Sequence, residues 1–220
     1  MLRYKVIQIG AEIRRHYPCV FNVKVVILLF PLLYAVVRYN LAAGVGWSQL
    51  PLYIVNKALA MSSVLALLFA GRAGIKGRRG SALTLGKMAL HCALLHVLFT
   101  LVLLPAGYYP KFSQVLLTAG DEQVLQMASF SAVANLALFF GLLCGYLFFV
   151  ISVGHFTGML QKRLLQYLQI CALAYHLLFL GGYSWFTPTS WPAYLPPVTL
   201  LSFICVLLLV YFLQKAWQKR

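Results

Sequence analysis

Two histidines, His96 and His176, each sit deep inside a long apolar run. The first run reads LGKMALHCALLHVLFT from Leu85 to Thr100, and the second LQYLQICALAYHLLFL from Leu165 to Leu180. His96 lies ten residues beyond a Leu-Gly step, and His176 ten residues beyond a Leu-Gln step. Basic residues precede both runs: Arg72, Lys76, Arg78 and Arg79 before the first, Lys162 and Arg163 before the second. Two such runs entering a membrane from the same side bring both imidazoles to nearly one depth. Two facing imidazoles at one depth are what a heme iron with two axial nitrogen ligands requires. The chemistry these residues would support is electron transfer.

The elements that must hold them are membrane spans. The chain has 220 residues, 62% hydrophobic and 10% charged, where a soluble domain would carry about 25% charged residues. One integral membrane domain follows. The first apolar block comes after more than about twenty mixed residues and is followed by others, so it does not read as a secretory signal. The net charge of +15 is not a nucleic-acid footprint. The basic residues sit at the ends of apolar blocks, where they set topology and meet membrane lipids, anionic headgroups among them. No nucleic-acid partner is expected. The five cysteines, Cys19, Cys92, Cys144, Cys171 and Cys205, show no CxxC pairing, and neither a structural disulfide nor an iron–sulfur site is expected.

At about 20 apolar residues per span, the sequence predicts six transmembrane helices, an all-α polytopic bundle. They run over about 23–39, 50–70, 82–104, 127–153, 164–183 and 198–214. Residues 1–22 read as a basic amphipathic segment on the membrane surface, or as an unstructured basic tail. Residues 23–217 form the six-span domain, and 218–220 a tail. Positive charge collects on the N-terminal segment, the loop GRAGIKGRRG, Lys162 and Arg163, and the C-terminal Lys215, Lys219 and Arg220. In a six-span chain these share one side, so both termini are expected to face the cytoplasm. The other side carries Asp121 and Glu122, with Trp47, Tyr108, Tyr109, Tyr183, Trp185, Trp191 and Tyr194 as an interfacial aromatic belt. The stretch from Pro188 to Pro197 cannot continue a helix and reads as a loop.

From Ala82 to His96 is about 21 Å of helix, and from Leu164 to His176 about 18 Å, at 1.5 Å per residue. Both imidazoles then lie past the midplane, where a polar group usually faces a site rather than lipid. The bland alternative is two unrelated histidines bonded to neighbouring carbonyls. His91, about 140° around the helix from His96, cannot ligate the same iron and reads as a packing or hydrogen-bonding residue. His155, in GHFTG, sits at the cytoplasmic end of the fourth span and His16 on the surface segment. Lys57 falls near the depth of the two histidines. Either it snorkels outward, or Lys57 or Arg38 neutralises a heme propionate.

At these residues the chain resembles a known family. LGKMALHCALLHVLFTLVLLP is similar to the third transmembrane helix of the STEAP metalloreductases: Leu-Gly, ten residues to a histidine, then an aromatic-rich run and a proline. LLQYLQICALAYHLLFL resembles their fifth helix. The wider set is the ferric-reductase-like transmembrane domains, with the NADPH oxidases and the heme-binding membrane subunit MsrQ. The resemblance covers roughly Leu50 to Trp217 and implies that His96 and His176 are the axial ligands of one b-type heme. It further implies electron flow from a cytoplasmic flavin, FAD or FMN, to an acceptor on the other side, such as ferric or cupric ion. Two-heme members carry a further histidine thirteen or fourteen residues earlier in each helix. Here those places fall near Ala82 and Leu83, and near Lys162 and Arg163, which implies a single heme. The aromatic residues that help STEAP proteins hold flavin before the fifth span are replaced by Lys162, Arg163, Leu164 and Leu165, with Gln166 for the glycine. No cytoplasmic NADPH-oxidising domain is evident, so a separate reductase, a flavoprotein or a quinol would donate the electrons. STEAP trimers make a homo-oligomer one state the resemblance allows. Compactness and short loops favour a bacterial inner membrane.

Two other classes compete. A proton- or ion-coupled transporter usually places carboxylates within its spans, but Glu12, Asp121 and Glu122 all lie outside them. A heme-free subunit that anchors a partner complex would use Asn56, Lys57, Ser62, Ser63 and Asn135 for helix packing.

Overall fold

In a computed structural model the chain is described over residues 22–104, 113–114, 129–154 and 159–218. The surface segment expected over 1–22 lies outside these residues except for Asn22, as do His155, Asp121 and Glu122. Among the described residues six helices are long and apolar enough to cross a membrane: α1 (Asn22–Ala42), α2 (Trp47–Ile75), α3 (Arg79–Leu103), α4 (Ala132–Val153), α5 (Met159–Trp185) and α6 (Val198–Gln218). The all-α, multi-pass membrane architecture expected from the sequence is therefore the observed one. A two-residue antiparallel ladder, Ser113–Gln114 with Ser129–Phe130, precedes α4.

The helix ends differ from the hydropathy boundaries for local reasons. α5 starts at Met159 rather than near Leu164. Gln161, Lys162 and Arg163 are good helix formers, and their long side chains carry charge outward while the backbone stays helical. Hydropathy marks where lipid begins, not where the helix does. α4 starts at Ala132, five residues later than about 127, because Ser131 caps it, its hydroxyl accepting from the Ala134 N–H at 3.2 Å. The loop expected over GRAGIKGRRG shrinks to a turn between Ile75 and Arg79. Gly77 makes that turn at φ +69°, a left-handed conformation that side chains resist.

Lipid tails are as apolar as leucine, so apolar burial drives little helix association; close packing and interhelical hydrogen bonds must do it. α2 is the most enclosed span and α3 the least. α2 packs along α3 and α6, α5 along α4 and α6. α3 and α5, which carry the two histidines, do not pack along one another. Ser62 on α2 donates to the Ile27 carbonyl of α1 at 2.9 Å, and Ser63 to the Ala89 carbonyl of α3 at 3.0 Å. Leucine and phenylalanine cover the outside, with Leu98, Phe139 and Leu142 each more than half exposed. The polar Asn56, Ser62 and Ser202 are almost fully buried. This inversion of the soluble pattern suits a chain dissolved in lipid.

At the end away from the α2–α3 turn, α1 and α2 meet through π-helical segments, Val36–Ala42 and Leu50–Ile54. The Pro-rich segment before α6 forms two short 3-10 turns, Pro188–Ser190 and Pro192–Tyr194. Tyr34 donates to the Pro196 carbonyl at 2.5 Å, and Trp185 Nε1 to Thr199 Oγ1 at 3.0 Å. These bonds tie α1 and α5 to the start of α6.

Candidate functional site

His96 lies 17 residues beyond the first residue of α3, and His176 17 residues beyond the first residue of α5. At 1.5 Å per residue each is about 26 Å along its helix. Both rings are part-buried. They lie within electrostatic reach of each other, and Lys57 of α2 lies within reach of both. His96, His176 and Lys57 thus influence one another electrostatically across three helices.

Each histidine has one ring nitrogen engaged. His176 Nδ1 lies 2.7 Å from the Ala137 carbonyl of α4. A carbonyl oxygen only accepts, so Nδ1 carries the proton and Nε2 keeps its lone pair. His96 Nδ1 lies 2.6 Å from Asn56 Oδ1 of α2. Neither Nε2 has a hydrogen-bond partner among the described residues. Metal-ligating histidines share this feature, their second nitrogen donating to a carbonyl or carboxylate that fixes the tautomer, and so do histidines that only pack against a neighbouring span.

The helices are shaped for these contacts. On α4, Ala134 and Ala137 are fully buried, and with Gly141 they form a stripe of small residues toward α5. A Cβ at Gly141 would stand 2.7 Å from His176 Nδ1 and 2.8 Å from its Cε1. Only glycine leaves room for the ring there. On α2, Asn56 and Ser63 are seven residues apart and hold α3 at two levels, His96 with Thr100 and then Ala89. Those two clasps set the register that delivers Asn56 to His96.

The other sequence candidates fall as follows. Lys57 Nζ rests over the Tyr53 ring at 5.1 Å, a cation–π contact. Arg38 is buried, but it turns toward the segment before α6: one Nη donates to the Leu195 carbonyl, and the guanidinium lies 5.4 Å over the Tyr39 ring. His91 is exposed and bonded at 2.7 Å to the Lys87 carbonyl of its own helix. Cys92, Cys144, Cys171 and Cys205 are free thiols. Gly141, Ala137 and Thr100 were not singled out from the sequence, and Asn56 was weighed only for helix packing. The small-residue spacing of Ala134, Ala137 and Gly141 was the available signal for the first two.

Among the described residues no three His, Cys, Asp or Glu side chains gather at one place. A structural zinc site, which takes four such ligands, is not assembled from them. A heme takes four equatorial bonds from its own ring and asks only two axial ligands of the protein. His96 and His176 offer two such nitrogens, one on each of two helices that do not pack along one another. The chain matches no family model, and no curated protein matches it.

Proposed function

We propose that the chain is a one-heme transmembrane electron carrier, with His96 and His176 as the axial ligands of a b-type heme held between α3 and α5. One observation supports this most. Two imidazoles, each 17 residues into its helix, hold Nδ1 against an acceptor on a neighbouring span and leave Nε2 unengaged. When bound, the heme supplies a one-electron couple whose potential follows ligand basicity, burial and nearby charge.

The chain's own residues do the rest. Ala137 and Asn56 orient the two rings, and Gly141 gives His176 its space. Lys57 presents positive charge to both ligands and is the side chain we assign to a propionate. Arg38, engaged at Leu195, serves to fasten α1 to the segment before α6.

The basic α2–α3 turn and the basic start of α5 share one end of the bundle. In this reading that end faces the cytoplasm, in a bacterial inner membrane, and meets a separate donor: a reduced flavin, a flavoprotein or a quinol. The acceptor, such as ferric or cupric ion, waits at the aromatic end. Vesicles carrying the chain, with ferricyanide inside and photoreduced flavin mononucleotide outside, test this. Internal ferricyanide should be consumed with the wild-type chain and not with His96→Ala or His176→Ala. Consumption equal to that of empty vesicles in every case would refute the proposal.

A further inference from the structure

The two histidines are held by acceptors of different kinds. His176 faces a main-chain carbonyl, which no side-chain change can remove. His96 faces a side-chain amide, whose oxygen and nitrogen could in principle stand either way round. The surrounding bonds decide which way it stands. Thr100 Oγ1 donates its one proton to the His96 carbonyl of its own helix at 2.8 Å. Toward Asn56 it therefore has only lone pairs to offer. The atom of Asn56 that meets it, at 3.1 Å, must be the Nδ2 donor. Asn56 Oδ1 is then the atom left for His96, at 2.6 Å, and it accepts from Nδ1–H. The order of donation, read along the chain of bonds, runs from His96 Nδ1 to Asn56, from Asn56 to Thr100, and from Thr100 to the His96 carbonyl.

We propose that Asn56, oriented by Thr100, is a positioning residue that locks His96 in the Nδ1–H tautomer and so keeps its Nε2 free to bind a metal. Three features make this a lock rather than a passing contact. Asn56 is 0% exposed, so no solvent competes for its amide. Thr100 stands one helical turn beyond His96 on the same helix, so the three groups close a loop. Ser63, two turns along α2, pins the same pair of helices at Ala89. The lock itself is independent of any cofactor. Its redox consequence rests on the heme reading: an acceptor on Nδ1–H raises imidazole basicity and favours the oxidised metal, so losing it should raise the reduction potential.

The test is nitrogen-15 NMR of the full chain in nanodiscs, with labelled histidine and no added heme, His96 being assigned through His96→Gln. His96 should show a protonated Nδ1 and a bare Nε2. Asn56→Leu should abolish that preference, Thr100→Val should weaken it, and Asn56→Asp, which keeps an acceptor oxygen, should retain it. The His176 signals serve as the folding control, since their acceptor is the Ala137 carbonyl; they should not change in any variant. An Nε2–H tautomer for His96 in the wild type, or an unaltered His96 in Asn56→Leu with His176 unchanged, overturns the lock. Heme-loaded samples then separate the two claims. An upward shift of the midpoint potential in Asn56→Leu supports the redox consequence. A chain that shows the tautomer pattern but takes up no heme refutes the heme reading and leaves the lock standing.

Discussion

Gly141→Ala puts the geometry of His176 to a quantitative test. The added Cβ would stand 2.7 Å from Nδ1 and 2.8 Å from Cε1. To reach an ordinary contact of about 3.4 Å, the ring must retreat from α4 by about 0.7 Å, because interiors this dense cannot absorb the overlap elsewhere. Ala137 lies on the same helix as Gly141, so the retreat stretches the 2.7 Å bond to its carbonyl to about 3.4 Å, past useful hydrogen-bond length. The lost bond costs about 1 kcal/mol, and overpacking adds about 1–3 kcal/mol. Alanine returns about 1 kcal/mol of helix propensity. The net expectation is destabilisation of about 1–3 kcal/mol, with weakened heme retention. Gly145→Ala is the control: nothing lies within 4 Å of a Cβ there, so only the propensity gain of up to about 1 kcal/mol remains. The two alanines, four residues apart on one helix, should move the apparent melting temperature in opposite directions. The assay is thermal unfolding of the purified protein in detergent, paired with heme content after reconstitution. Equal behaviour of the two variants would refute the claim that Gly141 is the seat of the His176 ring.

Other expectations follow from single contacts. Ser63→Ala removes the bond to the Ala89 carbonyl and should cost about 0.5–1 kcal/mol in the same melt. Lys57→Gln removes a positive charge within reach of both histidines; it should lower the midpoint potential of the loaded protein in a spectroelectrochemical titration, opposite in sign to Asn56→Leu. His91→Leu alters an exposed ring bonded only to its own helix, so heme content and potential should match the wild type within error.

The membrane spans were legible in the sequence because hydropathy over about 20 residues reports directly on lipid. Helix ends were less so, since Lys162 and Arg163 continue α5 beyond the apolar stretch and Ser131 starts α4 through one hydroxyl. His96 and His176 stood out because a polar ring deep in an apolar run is costly to place at random. Their partners did not stand out. Ala137 acts through its carbonyl and Gly141 through an absent side chain, and neither property shows in a residue type. Asn56 looked like packing because its role depends on which helix face meets α3, and that is set by the Ser63 clasp rather than by local sequence. Arg38 and Lys57 were both candidates for a propionate from the sequence; the fold turns Arg38 to Leu195 and keeps Lys57 within electrostatic reach of the histidines.

The most direct measurement is the dithionite-reduced minus oxidised spectrum of the chain purified after heme-supplemented expression, with pyridine hemochrome quantification. The heme reading expects a sharp b-type α-band at about one heme per chain, absent from His96→Ala and His176→Ala and intact in His91→Leu. A featureless spectrum, or a band that survives loss of either histidine, would contradict it, and His96 and His176 would then be residues of helix packing alone.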